Sequence, residues 1–211
     1  MGFDKSELKS SESKRDNLIP QNLADNSFSS IVNLYSLDLH GCAILNISTK
    51  AFESLETLRV LRLSANSLDK VPTSQLQHLG RLEELTLGKN FFPRLPDHAL
   101  RGLRKLRVLD LSECPELSEV TSLALASNPD LASLTLTGSR QLRLAPGALA
   151  SLSQLTSLHL ADLDWRTVDR ELVQWSGLQT LDLGYNPLEC DCHLAWLREV
   201  IRVRTNTLIG L

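Results

Sequence analysis

The chain has 211 residues, 42% of them hydrophobic, and a formal net charge of -3. That length supports one well-buried domain, and a near-neutral, mixed-sign balance gives no electrostatic reason to expect a nucleic-acid partner. No stretch reaches the roughly 18 consecutive apolar residues that a membrane-spanning helix needs.

The first seventeen residues, "MGFDKSELKSSESKRDN", are charged and serine-rich without an apolar segment. They read as disordered rather than as a signal peptide. Gly2 and Ser6 match the loose myristoylation pattern, which is too permissive to carry weight. From Leu18 onward leucine dominates, and "LIPQNLADNSFSSI" puts Ile19, Phe28 and Ile31 in the register of a partial repeat.

Seven segments then follow the pattern L-x-x-L-x-L, starting at Leu34, Leu58, Leu82, Leu106, Leu131, Leu155 and Leu178, and all but the sixth have N, C or S at the ninth position. The intervals are 24, 24, 24, 25, 24 and 23 residues. Side chains alternate faces along a strand, so x-L-x-L-x predicts a short strand with its leucines on one inward face. One such coil cannot bury its leucines alone; stacking coils makes a continuous core. The second half of each repeat supplies further core candidates: Ile47, Phe52 and Leu55; Leu95, Leu100 and Leu103; Leu144, Leu149 and Leu152.

This periodicity resembles the leucine-rich repeat family over about Leu18 to Arg204. The resemblance implies an α/β repeat solenoid, a horseshoe whose concave parallel β-sheet has about seven strands. The ninth position of each repeat holds Cys42, Asn66, Asn90, Cys114, Ser139, Leu163 and Asn186. In the family it carries a ladder of buried side chains bonded to backbone groups of the turn, a task suited to an amide that both donates and accepts. Cys42 and Cys114 are expected to be buried ladder thiols, roughly 14 Å apart and so unable to bridge. Leu163 breaks the ladder beside Trp165 and Trp175, which predicts local irregularity with both tryptophans filling core.

The 24-residue repeat with its I/L-P-x-x-x-(F/L) tail resembles the typical extracellular class. The N-x-S/T sequon at Asn46 falls on the solvent side and is a candidate glycosylation site. "NPLECDCHLAWL" (186 to 197) resembles the C-terminal flanking cap of Slit-like, Toll-like and neuronal adhesion receptors. That likeness implies that Cys190 and Cys192 pair with two cysteines beyond this chain. Following them, "HLAWLREVIRVR" places Leu194, Leu197, Val200 and Ile201 on one helical face, with Arg198, Glu199 and Arg202 mostly elsewhere and Trp196 matching the family's cap tryptophan. A structural zinc site needs four ligands, and Cys190, Cys192 and His193 supply three; a thioredoxin-like motif needs two intervening residues, not one. The expected organisation is 1–17 disordered, 18–185 repeat solenoid and 186–211 truncated cap. A cysteine-bearing N-terminal cap is missing too, as expected of a fragment, splice product or incomplete gene model.

The solvent-facing strand positions form a central column: Asp38, Arg62, Thr86, Asp110, Thr135, His159 and Asp182. Flanking columns add Tyr35, Ser36, His40, Glu84, Lys89, Glu113, Asp162 and Tyr185. Arg59, Arg62 and Lys89 make the early face partly basic, offset by Glu83 and Glu84, and the later face is acidic; such a gradient can orient a partner. Thr135, His159 and Asp182 form a hydroxyl–imidazole–carboxylate row. An open sheet offers neither oxyanion hole nor substrate pocket, and the aspartates recur too far apart for a glycosidase pair. The resemblance implies a non-enzymatic, cofactor-free and metal-free module of a cell-surface receptor or adhesion protein. It would bind a protein ligand through this concave face, with its signal peptide and membrane anchor outside this chain. A secreted, proteoglycan-like matrix protein is the alternative.

Overall fold

A computed structural model describes residues 21–31, 33–189, 192, 194–198 and 208–209. The expected disordered segment 1–17, Ile19, Cys190, His193, and the later cap residues Glu199, Val200, Ile201 and Arg202 lie outside the described residues.

Seven three-residue strands, one per repeat, lie side by side and parallel. They are β2 (Ser36–Asp38), β4 (Val60–Arg62), β5 (Glu84–Thr86), β7 (Val108–Asp110), β9 (Ser133–Thr135), β11 (Ser157–His159) and β12 (Thr180–Asp182). The register aligns Leu37 with Leu61, Leu61 with Leu85, and so on to Leu181, so the middle leucines stack in one row. All seven middle leucines are buried, flanked by residues that face solvent in part. At about 1.5–3 kcal/mol per buried leucine, stacking these rows is the main stabilising term, and no coil could realise it alone. The sheet also has an eighth strand that the repeat count did not predict, β13 (Leu208–Ile209), paired parallel with β12.

Both ends of each strand are closed by a repeated turn. Before the strand, the N–H of the leucine that opens the repeat bonds back three residues: Leu58 to Leu55, Leu82 to Leu79, Leu106 to Leu103 and Leu155 to Leu152, at 3.0 to 3.2 Å. After the strand, the eighth residue of every repeat adopts positive φ: Gly41, Ala65, Lys89, Glu113, Gly138, Asp162 and Tyr185, between 52° and 80°. Five of these seven are not glycine, a conformation that costs such residues about 1–2 kcal/mol. It is held because the same residue's N–H bonds the next coil, as from Ala65 to Gly88 O (2.9 Å) and from Lys89 to Ser112 O (2.8 Å).

The ninth-position ladder follows. Asn66 donates to Leu39 O (2.9 Å) and Leu63 O (2.8 Å) while accepting from the Ile44 N–H (2.9 Å). Asn90 and Asn186 repeat this arrangement. Leu163 contributes no polar side chain, yet its N–H is taken by Asn186 Oδ1 at 3.0 Å and its side chain is buried. Trp165 and Trp175 fill space beside it: Trp165 Nε1 donates to Leu142 O (2.9 Å), and Trp175 Nε1 donates to Arg170 O (2.7 Å).

The convex return is mostly turns and short strands. β6 (Arg94–Leu95), β8 (Glu119–Val120) and β10 (Arg143–Leu144) form one parallel strip, and β1 (Gln21–Leu23) pairs with β3 (Ile44–Ile47). Helix α1 (Thr73–Leu76) is a single turn. Phe28, Ile47, Phe52, Leu55, Leu95, Leu100, Leu103, Leu149 and Leu152 are buried as expected. Leu144 and Ile31 are only partly buried, a correction; β10 is the outer strand of its strip, so no further described strand covers Leu144. A second row of contacts went unforeseen: the fully buried Asn128 donates to Leu100 O (3.0 Å) and Leu103 O (2.9 Å) across coils.

The two ladder thiols differ. Cys114 is fully buried, and burial pushes its thiol up to about 11. Cys42 is only half-buried, which corrects the expectation; it lies on the edge coil, where β2 has a described neighbour on one side only. Burial, then the Asp38 carboxylate, raises its thiol as well. Thiolates, not thiols, react. In native protein at pH 8, iodoacetamide should label the exposed Cys192 first and Cys114 only on unfolding, read by peptide mass mapping. The raised Cys114 value also sets a sign: its contribution to stability is full below the unfolded thiol's ordinary range and is lost as pH climbs through about 11.

Candidate interaction surface

The strands fix the surface. Asp38, Arg62, Thr86, Asp110, Thr135, His159 and Asp182 end the seven strands in neighbouring rungs, as the alternation requires. Glu84 lies on the same face two residues earlier, and Tyr35 immediately precedes β2. His40 lies beyond the end of β2, exposed. Lys89, Glu113, Asp162 and Tyr185 sit elsewhere than their grouping with the strand columns implied. They occupy the positive-φ turn beyond the strand ends and so form a rim above the concave sheet. Gly41 and Gly138 at the same repeat position were the sequence signal for that turn.

Charge on this surface is divided. In the early coils it is largely paired between rungs: Arg62 with Glu84 at 2.8 Å, Lys89 with Glu113 at 3.3 Å, and Arg59 with Glu83. The Arg59 guanidinium also lies 5.8 Å from the centre of the exposed Tyr35 ring, within cation–π range. Exposed pairs of this kind contribute about 0–1 kcal/mol each, so they neutralise the face more than they stabilise it. The three aspartates have a local duty that sequence reading missed. Asp38, Asp110 and Asp182 each accept the N–H two residues on, from His40 (3.0 Å), Ser112 (2.8 Å) and Gly184 (2.9 Å). One carboxylate oxygen of each therefore closes its own turn, as aspartate side chains do in Asx turns.

The later coils add further hydroxyls and an imidazole. Ser133, Thr135, Thr137 and Thr180 carry hydroxyls that bond no other described residue. Among them, Ser157 Oγ lies 3.0 Å from His159 Nε2, and His159 Nδ1 lies 3.9 Å from Asp182. The imidazole's hydroxyl partner is thus Ser157 on its own strand, not Thr135 on the neighbouring one. The Ser157 N–H is bonded to Ala132 O at 2.9 Å as part of the sheet, so it cannot turn toward a developing oxyanion. At the rim, Arg140, Asp162, Asp164, Tyr185, Asn186 and Pro187 line an open cleft of about 400 Å³. Arg140 reaches across it to Asp162 (3.0 and 3.3 Å), and Tyr185 is 89% exposed.

At the C-terminal end, Leu194 and Leu197 are buried in the core cluster. The Trp196 ring lies 4.9 Å from that of Trp175. Cys192 is exposed. Asn46 is exposed on β3, its Nδ2 3.2 Å from Asn22 Oδ1. Among the described residues no group of three or more His, Cys, Asp or Glu is placed to hold a metal ion, and no helix is long and apolar enough to cross a membrane.

Stacked coils, an asparagine ladder and an open parallel sheet define a repeat solenoid, a scaffold whose broad face is available to a partner. The family model for leucine-rich repeats matches residues 32–90 and 56–115. The chain is a leucine-rich repeat protein, and such repeats typically serve as non-enzymatic protein-interaction modules. Comparison with curated proteins finds no match.

Proposed function

We propose that the protein is an extracellular binding module of a cell-surface receptor or adhesion protein, and that it engages a protein ligand through the concave face of its later coils. The observation that carries this reading is the cluster at the later end of the sheet. Charges on the early strands are largely paired, and repeats five to seven present small hydroxyl residues, His159 and an almost fully exposed Tyr185 beside the rim cleft. Tyrosine at such a position is a frequent interface anchor, and small hydroxyl residues let a partner's backbone approach closely. The exposed sequon at Asn46 and the cap-like packing of Leu194, Trp196 and Leu197 support the extracellular setting.

The test is a screen of the purified protein against secreted and surface proteins, repeated with Thr135→Arg. Thr135 ends β9, half-buried on the solvent-facing side of the strand, so an arginine there projects from the sheet floor without entering the core. A ligand of the concave face should lose at least about tenfold in affinity, since a misplaced charge in an interface costs over 1 kcal/mol. A ligand indifferent to Thr135→Arg would count against the proposal.

A further inference from the structure

A second surface lies along the edge where the strands begin. The turns before the strands repeat from coil to coil, and their two tip residues are Glu56 and Thr57, Gly80 and Arg81, Arg104 and Lys105, then Pro129 and Asp130. Buried Leu103 and Leu106 bracket Arg104 and Lys105, which forces both side chains outward. Arg101 precedes this turn and Arg107 follows it, where its N–H bonds Glu83 O of the neighbouring coil (2.8 Å). With neighbouring coils about 4.8 Å apart, Arg81 falls beside Lys105. Five exposed cations, Arg81, Arg101, Arg104, Lys105 and Arg107, therefore gather on one edge of the second to fourth coils, on a chain whose net charge is -3. Only Lys105 has an ion-pair partner among the described residues, Asp130 at 3.7 Å. Glu83, the acid nearest Arg107 along the rungs, is already paired with Arg59.

We infer that this edge binds a sulfated polysaccharide. Like charges cluster at a cost, and the four arginines have no ion-pair partner among the described residues. Arginine's planar fork suits tetrahedral oxyanions. The tip side chains project outward from the turns, and no aromatic side chain stands among these residues to stack a nucleic-acid base. A linear, densely charged chain lying across the tips meets these conditions through exposed charge alone. The site shares with the proposed function only its extracellular setting.

The experiment is heparin-agarose chromatography of the purified protein with soluble competitors. Arg101→Gln, Arg104→Gln, Lys105→Gln and Arg107→Gln combined should weaken heparin binding by at least about tenfold and flatten its salt dependence, because each neutralised cation releases fewer counterions. Arg140→Gln with Arg166→Gln, which removes two exposed cations elsewhere, should elute with wild type. Heparin should compete at about tenfold lower concentration than polyglutamate, oligo-dT or anionic vesicles of equal charge. The inference is overturned if the quadruple variant is retained like wild type, if the control pair loses as much, or if another polyanion competes equally. All four positions are exposed, so circular dichroism should be unchanged. Retention reads this edge directly, so its failure and that of a concave-face protein ligand are separate results.

Discussion

Asn90→Leu should lower the stability of the solenoid by about 3 kcal/mol, seen as a fall in the urea midpoint monitored by circular dichroism. Asn90 is fully buried and bonds Leu63 O (3.0 Å), Leu87 O (2.8 Å) and Gly88 O (3.3 Å), while its Oδ1 accepts from the Leu68 N–H (3.1 Å). Not all of these groups would be orphaned. Leu63 O keeps Asn66, and Gly88 O keeps the Ala65 N–H. Leu87 O would retain only the weak Cys114 thiol at 3.8 Å, and the Leu68 N–H would lose the side-chain acceptor it has. Two buried polar groups without adequate partners, at about 1–3 kcal/mol each, give the magnitude. Leucine, though nearly isosteric, would supply neither donor nor acceptor. An unfolding free energy within about 0.5 kcal/mol of wild type would mean that the ladder does not hold the coils together.

Gly102→Ala should be comparably severe, about 2–4 kcal/mol, for a steric reason. A Cβ at Gly102 would lie 2.3 Å from Gln77 Cα, 2.5 Å from its O and 2.7 Å from its C. These are backbone atoms of the neighbouring coil, so relief requires the two coils to part. The control is Gly80→Ala, where an added Cβ meets nothing within 4 Å. That change should be neutral or stabilising by up to about 1 kcal/mol, through reduced freedom of the unfolded chain. Because each coil touches only its neighbours, hydrogen exchange in Gly102→Ala should rise first between the second and third coils. Equal midpoints for the two variants would contradict this account of the coil spacing.

Much of the fold was legible because repetition amplifies a weak local signal. The leucine alternation around Leu61 alone allows several structures; seven copies at a near-constant interval allow one. The ladder was readable at Asn66, Asn90 and Asn186 for the same reason. Cys42 was misjudged because burial depends on a neighbouring coil, which no ninth-position residue reports on its own account. Leu208–Ile209 was missed because it lacks the repeat pattern, and Asn128 because its position recurs with different residue types.

The candidate surface was less legible. Alternation places Asp110 and Asp182 on the solvent face, but not that one oxygen of each closes its own turn. The rim positions Lys89, Glu113, Asp162 and Tyr185 belong to a left-handed turn disguised by five non-glycine residues, so they read as part of the sheet. The Arg62–Glu84 pair depends on rung register and rotamer together, and the cluster around Arg104 emerges only when consecutive turns are superposed.

The central claim is that stacking and the ladder make a rigid face whose later coils recognise a protein. The most direct measurement is the affinity of a captured ligand for Thr135→Arg relative to wild type, with equal unfolding midpoints confirming that both are folded. The account predicts a loss of at least about tenfold, matched by a smaller loss for Tyr185→Ala at the rim. Unchanged affinity in both variants would contradict it and move recognition off the concave face.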